Sequence, residues 1–139
     1  MLLLAIPAVA MAAGPEADGL SPYTNNCASS ATSIATASLA GGSATVEIRY
    51  SPSCKVAWAR VQLKNEADVD GTSDVTIRRT QGGPGTAQTC QVSHDKSTSL
   101  NAYTCYTSVI GTDNSQFQAH ARVNGRDLTT SAVSAPSSQ

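Results

Sequence analysis

Between residues 32 and 133 polar and apolar side chains alternate at period two, β-branched residues are frequent, and Gly, Pro, Asn or Asp turn signals recur about every ten residues. A helix repeats about every 3.6 residues and cannot hold such a pattern on one face, whereas a strand repeats every two. The chain is therefore expected to be all-β, a small antiparallel sandwich or barrel. Strands are expected at residues 32–39, 45–50, 55–64, 74–80, 86–92, 102–110, 116–123 and 126–133. Gly41-Gly42 and Asn124-Gly125 mark hairpin turns, because such turns need the positive φ that glycine and asparagine tolerate. Residues 25–40, rich in Ala, are the one stretch that also admits a helix.

Such a fold must be built from little apolar material. Leu, Ile, Val and Phe total 24 of the 139 residues, and five of these lie in the first nine, while Ser and Thr total 33. A core this thin calls for covalent help, and the four cysteines supply it as two disulfides. Of the three possible pairings, Cys27 with Cys54 and Cys90 with Cys105 is preferred, since each pair then brackets a contiguous block of strands. No CxxC or HxxxH spacing favours zinc instead, and no cofactor is expected.

Disulfides imply an oxidising compartment, and the N-terminus agrees. Residues 2–9 form a short apolar run followed by small residues suited to signal-peptide cleavage, and too short to span a bilayer. No Lys or Arg precedes the run, which points to a start upstream of Met1. The expected organisation is a signal peptide at 1–12, an irregular Gly- and Pro-containing arm at 13–26, one all-β domain at 27–133, and a frayed tail at 134–139. Nine basic residues against ten acidic ones leave a net charge of -1, which gives no electrostatic footprint for nucleic acid or an anionic membrane.

Candidate sites are few. With a four-residue connection Ser51-Pro52-Ser53-Cys54, the hairpin is expected to set Tyr50 opposite Lys55, Ile48 opposite Ala57, Val46 opposite Ala59 and Glu47 opposite Trp58. Val46, Ile48, Ala57, Ala59, Val61 and Leu63 then share the apolar face. The lone Trp58 shares the opposite face with Arg49, Arg60 and Glu47, as a platform able to stack a sugar or a peptide group. The rival reading places Trp58 in a second buried layer, with Arg60 paired to Glu47 at its margin. Asp68, Asp70 and Asp74 around Gly71 are oxygen ligands that would suit calcium, but their spacing is not an EF-hand and a solvated turn is the expectation. His94 beside Asp95, and His120, come with no nucleophile turn of the GxSxG kind. Gln81-Gly82-Gly83-Pro84-Gly85 leads into no helix and reads as a turn rather than a phosphate loop. The chain is expected not to be an enzyme.

The segment at residues 46–60, VEIRYSPSCKVAWAR, together with Cys27 upstream and Tyr103-Thr104 downstream, resembles the YjfA family of small secreted proteins of actinobacteria and bacilli. The resemblance covers roughly residues 27–133 and implies a domain of unknown function, with no activity attached. Where the family pattern has Pro and Met after the Tyr-Thr pair, this chain has Cys105 and Tyr106, and Cys90 is also an addition. Two additions that are both cysteines suggest one extra disulfide. The expected role is a secreted binding module, outside the cell or on the cell wall, whose partner is a wall polymer. The alternative is a secreted inhibitor or competition factor that engages another exported protein through residues 80–86 or 93–101.

Overall fold

The computed structural model describes residues 17–70, 73–80, 87–113 and 115–136, so the leader at 1–12 and the Gln81-Gly85 turn lie outside the described residues. Among the described residues eleven strands follow one another: β1 (Thr32–Ser38), β2 (Ala44–Ser51), β3 (Val56–Leu63), β4 (Asp74–Arg79), β5 (Ala87–Gln91), β6 (Lys96–Ser97), β7 (Ala102–Tyr106), β8 (Ile110–Gly111), β9 (Gln116–Val123), β10 (Arg126–Thr129) and β11 (Val133–Ser134). They form two antiparallel sheets, one in the order β1-β2-β3-β7-β6 with β8 beside β3, the other β10-β9-β4-β5 with β11 beside β9. The sheets pack face to face and do not close into a barrel.

Alternation explains the core. Val46, Ile48, Ala57, Ala59, Val61 and Leu63 from the first sheet meet Val75, Ile77, Phe117, Ala119, Ala121 and Val123 from the second, all without measurable exposure. Phe117 is the largest fully buried side chain among the described residues, and alanines fill much of the rest. Cys90 of β5 and Cys105 of β7 are joined across the layer, so one covalent bond ties the two sheets. Cys27 is joined to Cys54, which fastens the segment before β1 to the β2–β3 turn.

Three expectations change. The β2–β3 hairpin is displaced by two residues: Tyr50 pairs with Ala57, Ile48 with Ala59, Val46 with Val61, Glu47 with Arg60 and Arg49 with Trp58. The turn is closed by Ser51, whose carbonyl accepts from the Lys55 N–H at 2.7 Å and whose hydroxyl accepts from the Cys54 N–H at 3.3 Å. Lys55 takes φ +57, so β3 can begin only at Val56. The stretch 102–110 splits at Thr107, and the stretch 126–133 splits at Thr130. In both places a buried threonine hydroxyl takes over from a backbone acceptor: Thr107 Oγ1 accepts from the Ala59 N–H at 3.0 Å, and Thr130 Oγ1 from the Ala119 N–H at 3.1 Å. Each hydroxyl then donates to the carbonyl of the following residue. The strand bends away without leaving a buried donor unpaired, as a bulge requires. The strand expected at 32–39 does form, as β1, and the helix that residues 25–40 also admitted is confined to a 3-10 segment, Thr24–Ser30, interrupted by Asn25 and Asn26 at φ +53 and +60.

From Ala17 on, the arm is part of the folded body. Ala17 and Pro22 are buried, and the backbone of Gly19 and Leu20 bonds to that of Val109 on both sides, at 2.9 Å each. Asp18 receives both terminal nitrogens of Arg79, at 2.9 and 2.7 Å. The Asn124-Gly125 turn has φ of +50 and +79, as a type I′ turn demands.

Candidate functional site

The arm crosses the outer face of the first sheet, and that crossing creates the site. Ala17, Cys27, Cys54, Val56, Trp58 and Val109 form a second, smaller apolar cluster there. Trp58 does point to the same face as Arg49, Arg60 and Glu47, but it is only 4% exposed under the arm. It is no open platform. Trp58 also lines a groove of about 300 Å³, walled by Tyr23 and Asn26 of the arm, by Ser29 just after it, and by Arg49, Arg60 and Tyr106 of the sheet.

Strand parity places the charges. Glu47 and Arg49 are two apart on β2, Arg60 lies opposite Glu47 on β3, and Tyr106 lies opposite Arg60 on β7. Glu47 is buried and fully occupied. Its Oε1 accepts from the Ser33 hydroxyl at 2.5 Å, and its Oε2 from Arg60 Nε at 3.0 Å and Gln62 Nε2 at 2.7 Å. Arg60 Nη2 reaches the same Oε2 at 3.0 Å, completing the ion pair. Burial by itself would raise the Glu47 pKa, but the hydrogen bonds from Ser33 and Gln62 and the Arg60 charge outweigh it, and the carboxyl sits below its ordinary 4.5.

A depressed folded-state pKa stabilises the protein above the unfolded value, and that stabilisation is lost as pH falls through the folded one. Glu47→Gln is therefore expected to cost about 1–3 kcal/mol near neutral pH, with the gap to the unsubstituted protein closing as pH falls well below 4.5. Urea unfolding at neutral pH and at about pH 3 checks this; a gap that is constant or grows in acid would refute it.

Arg49 has no such carboxylate. Its Nη1 donates to Ser33 Oγ at 2.9 Å and its Nη2 to the Ala31 carbonyl at 3.2 Å, both neutral acceptors. Desolvation, together with repulsion from Arg60, outweighs the attraction of Glu47 and lowers its pKa from the ordinary arginine value, though a guanidinium stays charged. At the groove mouth Tyr23 and Tyr106 meet edge to face, centroids 5.4 Å apart, and are 62% and 44% exposed. They are two of the three large apolar or aromatic side chains exposed among the described residues. Residue patterns alone missed both. Tyr106 was legible as outward-facing once Cys105 faced the core, but Tyr23 sits in an arm with no periodicity.

The remaining candidates lie apart from the groove. His120 Nε2 meets Asp127 Oδ1 at 3.0 Å on the surface of the second sheet, and His94 is exposed between β5 and β6. Asp68 is buried and accepts from Asn124 Nδ2 at 3.4 Å, Asp70 accepts from the Ser73 hydroxyl at 3.3 Å, and Asp74 is held in β4. Gly71 lies outside the described residues, among which no group of three or more His, Cys, Asp or Glu side chains is placed to hold a metal ion. No helix among them is long and apolar enough to cross a membrane.

The chain is similar to "Uncharacterized protein YjfA" of Bacillus subtilis (strain 168), with 34% identity over 70 residues, 48% of this chain and 45% of that protein. The match thus spans less than half the length of this relative. No solved structure matches the chain. The family described as "Protein of unknown function (DUF2690)" matches residues 16–132, which take in the described part of the arm and every strand but β11, and the chain belongs to that family, a YjfA-like domain of unknown function.

Proposed function

We propose that this protein is a secreted, non-enzymatic binding module that holds a cell-wall polymer in the groove beside Arg49 and Arg60. One observation carries the reading: an exposed pair, Tyr23 and Tyr106, stands at the mouth of a groove whose wall holds two guanidiniums. Exposed aromatics next to arginine are what binding surfaces are enriched in, because each presents a large apolar body with a polar edge. The two disulfides are consistent with an extracellular setting. The non-enzymatic reading is supported by the state of the acid and base groups near the groove, since both oxygens of Glu47 are taken up by donors and His120 lies on the other sheet.

The test is co-sedimentation of the purified, oxidised protein with intact cell walls and, separately, with the host's secreted proteins. The expected result is retention on walls, reduced about tenfold or more in the doubly substituted Tyr23→Ser, Tyr106→Ser protein with its thermal unfolding unchanged. Absence of wall retention together with capture of one secreted protein would overturn the reading in favour of an inhibitor.

A further inference from the structure

We infer that the groove recognises the anionic group of an acidic glycan, with Arg49 as the anion-binding charge and the Tyr23–Tyr106 pair as the stacking surface for the sugar. This rests on the binding-module reading and deepens it. The argument begins with charge. The Glu47 carboxylate accepts from Ser33, Gln62 and Arg60, so Arg60 already has a carboxylate partner within the fold. Arg49 shares the wall of the same groove and has only a hydroxyl and a carbonyl as acceptors, which use two of its five N–H donors. No Asp or Glu lines the groove among the described residues. A half-buried guanidinium whose own hydrogen bonds go only to neutral oxygens, with Arg60 beside it and Glu47 acting on it only through space, is costly, and an anion placed in the groove relieves both desolvation and repulsion.

The rest of the lining selects the kind of anion. A volume of about 300 Å³ lies at the small end of small-molecule sites, enough for one or two ring units. Asn26 and Ser29 offer neutral donors and acceptors to hydroxyls on one side, and the exposed tyrosine pair offers an apolar face on the other. Hydroxyls, a stackable ring and one negative charge describe an acidic sugar unit. A nucleic acid would need a row of cations, whereas this groove has a single one with no carboxylate bonded to it and the chain carries a net charge of -1.

Carboxylate and phosphate both satisfy a guanidinium, so the experiment separates them. The full chain, oxidised, is titrated calorimetrically with three probes: an oligogalacturonate, a sugar-bearing poly(glycerol phosphate), and a neutral chitin trisaccharide. Binding to at least one acidic probe is expected, weakening with salt, while the neutral one binds at least tenfold more weakly. Arg49→Gln is expected to lower the affinity about 10- to 100-fold. If Arg49→Gln unfolds, Tyr106→Ser in the exposed rim carries the test, with an expected loss of about tenfold. Equal affinity for neutral and acidic probes, no effect of Arg49→Gln on a folded protein, or binding to none of the three would each overturn the inference. Wall retention of the unsubstituted protein, measured in parallel, shows whether the binding-module reading survives that failure.

Discussion

Replacing Trp58 with alanine is expected to destabilise the fold by about 3–5 kcal/mol and to lower its Tm by about 10–20 °C. The indole is 4% exposed and packs with Ala17, Cys27, Cys54, Val56 and Val109, small neighbours that cannot collapse into the space it leaves. The cost is therefore the lost burial of an aromatic side chain plus an unfilled cavity. The arm that closes over Trp58 also supplies Tyr23 and Asn26 to the groove, so binding is expected to weaken along with stability. Trp58→Phe, which keeps most of the volume, is expected to recover at least half of the loss. Urea unfolding followed by circular dichroism gives both numbers. A Trp58→Ala protein of unchanged stability that no longer binds walls would instead make the indole a direct ligand contact.

An effect of similar size, about 3–5 kcal/mol, is expected from Asp18→Ala. Arg79 lies on β4, and its two terminal nitrogens grip both oxygens of Asp18, while Nη2 also donates to the Gly111 carbonyl at 2.8 Å. The Gly111 N–H returns a hydrogen bond to Asp18 Oδ1 at 2.8 Å. One carboxylate thus locks the arm to β4 of one sheet and to β8 of the other. The two side chains are only 9% and 15% exposed, so removing Asp18 strands a guanidinium that water reaches poorly. The double replacement Asp18→Leu, Arg79→Met removes both charges and is expected to cost much less than Asp18→Ala alone. A chain begun at Cys27 is expected to fold poorly for the same reason. A 27–136 fragment as stable as the longer protein, or additive effects in the double replacement, would show that the pair contributes nothing.

Much of the sandwich was legible because strand parity is local. Val46, Ile48, Ala57, Ala59, Val61 and Leu63 share a face whichever register the hairpin takes, since a displacement of two residues leaves every side chain on the same side. The pairing of Cys27 with Cys54 and of Cys90 with Cys105 followed from blocks of strands that are contiguous in sequence. For the same reason Glu47, Arg49, Trp58 and Arg60 could be placed together on the outer face. Register itself was not legible, because it depends on Lys55 adopting a left-handed conformation, which any of several turn residues could have taken.

What the amino-acid sequence determined by itself was fold class, facing and the cross-links, all of which repeat or bracket along the chain. Only the tertiary structure decided that the arm lies over Trp58 and turns a possible platform into a small second core. Likewise, only folding brings Asp18 to Arg79, Arg49 to the neutral oxygens of Ser33 and Ala31, and Tyr23 to Tyr106. The physical reason is common to all of these. The arm has no periodicity to announce a face, and its position is set by contacts with residues far away in the chain, whose energies exist only once both partners have left water together.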